Sequence, residues 1–189
     1  MSKLFGIGLS RTGTSSLNEA LRLLGLDSEH YFFDLDRLAA LDAATDTPIA
    51  RAWPALDRLH PGSRFILTVR ERKAWLESCR RHFASLPASQ RVHDLRMDLY
   101  DTPVFDELRF RAAWDRHLRA VGRHFRKRPR DLLVLDLCGG QGWERLCPFL
   151  GSAIPELPFP HLNARRSAAR ESARGAATQD EAPAGLERG

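Results

Sequence analysis

Between Gly8 and Ser15 the chain carries a G-x-x-x-x-G spacing, Gly8 to Gly13, followed directly by Thr14 and Ser15. Glycines at this interval, with hydroxyl residues behind them, suit a loop that wraps its amides around a phosphate or sulfate. The lysine usual in such loops is replaced by Thr14. The physics survives the replacement. Convergent backbone N–H groups and the positive end of a helix stabilise an anion without any side chain. Gly13 permits close backbone approach, while Thr12, Thr14 and Ser15 supply hydroxyl donors. Arg11 adds a guanidinium fork that can meet an oxyanion through two hydrogen bonds. The plainer alternative is a strand–turn–helix whose Ser and Thr residues only cap the helix.

The elements that would position this loop agree with the first reading. Leu4 to Leu9 is a short apolar run suited to a buried strand, and the turn runs through Ser10-Arg11-Thr12-Gly13-Thr14-Ser15. Leu17, Ala20, Leu21 and Leu24 then recur at helical spacing, with Gly25 as a stop.

The stretch GLSRTGTSSL resembles the 5′-phosphosulfate loop of the P-loop sulfotransferases, whose common form reads Pro-Lys-Ser-Gly-Thr-Thr. The C-terminal stretches GWERLCPFLG and PFPHLN are similar to those of a bacterial-type branch of that family. The resemblance spans about residues 3 to 163. It implies 3′-phosphoadenosine 5′-phosphosulfate (PAPS) as co-substrate and no metal. It also implies that Ser10, Arg11, Thr12, Gly13, Thr14 and Ser15 hold the 5′-phosphosulfate, with Arg11 against the transferred group. FILTVRERKAWLESC resembles the family's 3′-phosphate motif, a strand ending in Arg70 with Ser78 eight residues later. A doubly charged phosphate suits a guanidinium fork and a hydroxyl donor. His161 and Asn163 are further binding candidates on resemblance alone.

Sulfuryl transfer to a hydroxyl requires a group that takes the acceptor proton. Three candidates are left open. Glu29 and His30 lie on the segment after the loop helix, where several sulfotransferase families place a base. Asp46 precedes Thr47-Pro48, reading both as an N-cap and as the family's Asp-x-Pro facing the acceptor pocket.

Further elements follow in order. Leu26 to Phe33 is a second strand or extended segment, and Asp34 to Ala52 a short helix and a loop. A helix from Pro54 to His60 leads to the Pro61-Gly62 turn and the buried strand Arg64 to Val69. Leu86 to Val104 is polar and weakly periodic, suited to a flexible cover over an acceptor site. Phe105 to Arg126 is a long amphipathic helix with His117 and His124 off its apolar stripe, hence expected in solvent. Asp131 to Leu137 is another buried strand. Strands near Leu4, Leu26, Phe65 and Leu132 alternating with helices predict an α/β fold, a three-layer α/β/α P-loop arrangement with a mainly parallel central sheet. Residues 164–189, rich in Ala, Arg, Ser, Gly and Glu, read as a disordered tail after a domain over 1–163.

The 189 residues suffice for a real core. A net charge of +5 suits anionic ligands, but Arg is spread along helices rather than clustered, so nucleic acid is not an expected partner. No apolar run reaches the length of a membrane span. Cys79, Cys138 and Cys147 lack CxxC spacing, which points to core thiols and a reduced, cytoplasmic setting. The expected partner is a small-molecule or glycan acceptor. Two alternatives remain: a Mg²⁺-dependent small-molecule kinase using Asp136 at the end of its strand as metal ligand, and a non-catalytic nucleotide-binding protein.

Overall fold

A computed structural model describes residues 3–162; Asn163 and the 164–189 segment lie outside the described residues. The central sheet has five strands: β1 (Leu4–Gly6), β2 (Ser28–His30), β3 (Ala43–Thr45), β4 (Arg64–Thr68) and β5 (Leu132–Leu135). Their spatial order is β2-β3-β1-β4-β5, and every pairing is parallel. The helices are α1 (Thr14–Leu23), α2 (Thr47–Leu59), α3 (Arg72–His82), α4 (Gln90–Tyr100), α5 (Glu107–Phe125) and α6 (Trp143–Leu150).

Side-chain alternation along the strands divides the core into two layers. Leu4, Ile66, Leu133 and Leu135 pack with Leu17 and Leu21 of α1 and Leu146 of α6. Phe5, Ile7, Phe65 and Leu67 face the opposite way, against Ile49, Trp53 and Leu56 of α2 and Val121 and Phe125 of α5. Cover on both faces is what a parallel sheet requires, and it explains the unbroken apolar runs of β1 and β4. Full burial of each large apolar side chain contributes about 1.5–3 kcal/mol.

A third cluster lies beside the loop after β1. Leu9 packs there with Trp75 and Cys79 of α3, Phe83, Tyr100 of α4, and Phe110 and Trp114 of α5. The Tyr100 and Phe110 rings stack with centroids 4.4 Å apart. This aromatic annex fixes α3, α4 and α5 relative to the loop.

Several expectations need correction. The 34–52 segment, expected as a helix and a loop, forms a 3₁₀ turn at Leu35–Ala40, the additional strand β3, and the start of α2 at Thr47. Asp46 occupies the N-cap position of α2, but its side chain caps nothing. Residues 86–104 contain α4, a regular helix that Ser89 caps by accepting from the Val92 amide. His117 is not in solvent: its Nε2 lies 2.8 Å from the Ile7 carbonyl at the end of β1. His124 is exposed as expected, and bonds Asp57 at 2.6 Å. Cys79 and Cys147 are core thiols, whereas Cys138 is exposed.

Candidate functional site

Among the described candidates, all but Glu29, Ser78 and His161 lie at or just beyond the carboxyl end of a strand, the edge where open parallel sheets bind ligands. The Gly8–Ser15 loop follows β1, His30 ends β2, Asp46 follows β3 and Arg70 follows β4.

The loop conformation depends on two glycines. A Cβ at Gly8 would come 1.8 Å from Thr68 Oγ1, so only glycine lets β1 leave the sheet beside β4. Gly13 has φ +98°, and Arg11 adopts a positive φ of 71° without being glycine. No backbone N–H from Arg11 to Ser16 finds a partner among the described residues. This row of free amides at the start of α1 is the arrangement that stabilises an anion.

The rest of the loop is tied down. The Ser10 amide donates to Tyr100 Oη at 3.1 Å, and Trp75 Nε1 donates to the Ser10 carbonyl at 2.9 Å. Thr12 Oγ1 donates to the Leu9 carbonyl at 2.7 Å and lies 2.6 Å from Thr68 Oγ1. The Thr12 hydroxyl, expected to face the anion, is therefore spent inside the protein; its amide is what it offers.

Two guanidiniums meet beside the free amides. Arg11 Nε donates to Ser78 Oγ at 3.1 Å, and Arg70 Nη1 donates to the Arg11 carbonyl at 3.4 Å. Residues assigned to separate phosphates thus touch. Neither arginine forms a salt bridge with a described carboxylate. Burial, with the like charge of Arg70 adding to it, pushes the Arg11 guanidinium below its usual pKa. An anion placed between them relieves both effects.

His30 is the centre of a second cluster of polar side chains. Its Nε2 lies 3.0 Å from Ser15 Oγ and 3.2 Å from Asp46 Oδ2, and its Nδ1 lies 3.1 Å from Thr45 Oγ1. Asp46 is 8% exposed, and its Oδ1 has no hydrogen-bond partner among the described residues. Burial pushes the Asp46 carboxyl above the usual carboxylate range, with His30 opposing the shift. Its backbone, at φ 83° and ψ −174°, occupies a region nearly reserved for glycine.

His30 and Asp46 open onto a cavity of about 390 Å³. Ser10, Tyr31 and Thr47 share this end of it, while His82, Phe83, Leu95, Arg96, Leu99 and Tyr100 form the remaining wall. Residues expected to make a flexible cover do cover the cavity, as one face of α4. Burial holds His82 below its usual pKa, and Arg11 and Arg96 add to that shift.

The structure does not bring every candidate together. Glu29 points to the exposed side of β2, because neighbouring strand residues alternate faces and His30 takes the inner one. His161 is exposed, its ring 6.0 Å from that of Phe159. Its neighbour Leu162 donates its amide to Ser16 Oγ at 3.2 Å, which brings the segment to the first turn of α1. The Asp136 carboxylate accepts from the Gly139 amide at 2.8 Å and so closes a turn. Among the described residues no three His, Cys, Asp or Glu side chains group as metal ligands.

Sequence reasoning missed Tyr31, Trp75, His82, Arg96 and Tyr100. Trp75, His82, Arg96 and Tyr100 read as core or helix surface, and only the packing of α3 and α4 beside the loop brings them to the site, whereas Tyr31 follows β2 directly.

The fold and this site define a class. A family model described as "Sulfotransferase domain" matches residues 3–37 and 33–168, and the chain belongs to that family. It is also similar to the Ava biosynthesis cluster protein M of Aspergillus versicolor, with 26% identity over 209 residues, covering 85% of this chain and 80% of that protein. No helix among the described residues is long and apolar enough to cross a membrane.

Proposed function

We propose that the protein transfers the sulfuryl group of PAPS to a hydroxyl or amine of a small-molecule acceptor. The observation that carries this reading is the pair Arg11 and Arg70, free of carboxylate partners and set beside a row of undonated amides. Such a site favours a ligand with several negative charges. The amides from Arg11 to Ser16, with the Thr14 and Ser15 hydroxyls, take the 5′-phosphosulfate; Arg70 and Ser78 take the 3′-phosphate.

The reaction balances without redox change. The acceptor oxygen forms a bond to sulfur as the bond from sulfur to the bridging phosphate oxygen breaks. The acceptor proton passes to the His30–Asp46 pair, and adenosine 3′,5′-bisphosphate leaves. Arg11 stabilises charge on the departing oxygen, so catalysis is largely positioning and electrostatics. The buried Asp46 carboxylate, 3.2 Å from His30 Nε2, orients the His30 ring for proton transfer. Glu29 is not part of the proposed machinery.

No metal is assigned to the reaction, since the arginines supply the positive charge. A Mg²⁺ kinase would require Asp136 as metal ligand, and that carboxylate accepts the Gly139 amide through Oδ1. A relative named for a biosynthesis cluster favours a small molecule over a glycan as acceptor. Assignment to a bacterial-type branch rests on the C-terminal stretches, and a cytoplasmic setting on three free thiols.

Incubation with PAPS and a panel of phenols and alcohols tests the reading through release of the bisphosphate. Turnover should appear and should fall by about 10²–10⁴ in His30→Ala, the usual range for a lost general base. Binding of the bisphosphate without turnover on any acceptor would instead mark a non-catalytic nucleotide-binding protein.

A further inference from the structure

Arg96 projects from α4 into the cavity wall. Its Nη1 donates to the carbonyls of Ser85 (3.1 Å) and Pro103 (2.8 Å), and its guanidinium lies 4.7 Å from the centroid of the Phe83 ring. Nε and Nη2 donate to no described residue, and Arg96 forms no salt bridge with a described carboxylate. Burial holds its pKa below the ordinary value. A half-buried guanidinium with unspent donors beside an apolar cavity is stabilised by an anion that enters the cavity.

The cavity carries ionisable groups at two places. At the strand ends stand His30 and Asp46, whose Oδ1 is buried and unpartnered; on α4 stands Arg96. Tyr31 lies between, its phenol within electrostatic reach of both Asp46 and Arg96. Phe83, Leu95 and Leu99 supply apolar surface, and Ser10, Thr47, His82 and Tyr100 also line the cavity. Apolar surface with a few polar groups that fix a ligand's orientation is the pattern of a small-molecule site.

Resting on the sulfuryl-transfer reading for the role of His30, we propose that the acceptor is a compact hydroxy acid: an apolar or aromatic body with a hydroxyl at the His30–Asp46 pole and a carboxylate on Arg96. Arg96 then sets specificity for the acceptor and takes no part in the chemistry. A hydroxyl-bearing compound without the acid would fill the same space but leave the guanidinium unpaired.

The test is an equilibrium titration of the protein, without nucleotide, with para-hydroxyphenylpropanoate and with its amide, which matches it in shape and lacks the charge. The acid should bind at least tenfold more tightly at neutral pH. In R96Q that preference should vanish while the amide binds as before, which also shows that the variant is folded. R96K should keep part of the preference, because it keeps the charge and loses the fork. Equal affinities for acid and amide in the unaltered protein, or no binding of either, would overturn the proposal whatever the variants do. A parallel titration with adenosine 3′,5′-bisphosphate separates the two readings: if the acid is preferred but the bisphosphate does not bind, the donor site is wrong and the Arg96 assignment stands.

Discussion

Asp46 is buried beside His30, leaves one carboxylate oxygen unpartnered, and holds a backbone conformation that L-residues rarely adopt. Each feature destabilises the fold, and together they mark a side chain held for its chemistry. Replacing Asp46 by Gly removes the buried charge and the strained φ. Strain of this kind amounts to about 1–3 kcal/mol, and glycine gives back roughly 0.5–1 through chain entropy. Asp46→Gly should therefore melt about 2–6 °C above the unaltered protein and lose turnover; a lower melting temperature would show that the Asp46–His30 contact stabilises the fold. His30 and Asp46 were legible as candidates because proton transfer restricts the residue types. Glu29 was an equal candidate only because a strand's alternation cannot be phased without knowing which face is covered.

At the scale of elements, the loop is held by side chains from helices far along the chain. Tyr100 stacks on Phe110 and accepts the Ser10 amide; Trp75 donates to the Ser10 carbonyl. Tyr100→Phe keeps the stack and strands the amide, which should lower stability by about 1–3 kcal/mol in urea unfolding. An unchanged midpoint would mean that water replaces the phenol. The loop, β4 and α5 could be read in the sequence, each having a long apolar run or a clear 3.6-residue period. The strand β3 could not. Ala43, Ala44 and Thr45 show no apolar run of their own, and their conformation follows from lying between β1 and β2. The helix α4 was obscured by weak periodicity, since only Leu95 and Tyr100 of its residues are buried.

For the whole molecule, histidines whose pKa values are lowered contribute to the pH response. Burial holds His117 below its ordinary value of 6.5, although its bond to the Ile7 carbonyl opposes the shift. His82 is displaced the same way. A histidine with a lowered folded pKa binds fewer protons folded than unfolded, so stability is full above the unfolded pKa and declines as pH falls below it. Thermal midpoints should accordingly drop between about pH 7 and pH 5. His117→Gln should flatten that slope; an identical slope would assign the response elsewhere.

The order β2-β3-β1-β4-β5 puts β1 at the centre of the sheet, so the loop after it can reach both His30 and Asp46 at the ends of β2 and β3 and Arg70 after β4. The central claim is that this geometry forms one donor site with two anionic subsites joined through Arg11 and Ser78. Calorimetric titration with adenosine 3′,5′-bisphosphate, beside adenosine 5′-monophosphate and ATP with and without Mg²⁺, tests it most directly. The account predicts metal-independent binding of the bisphosphate, stronger than that of the monophosphate, with the advantage abolished in Arg70→Ala. Equal binding of bisphosphate and monophosphate, or a preference for ATP with Mg²⁺, would contradict it.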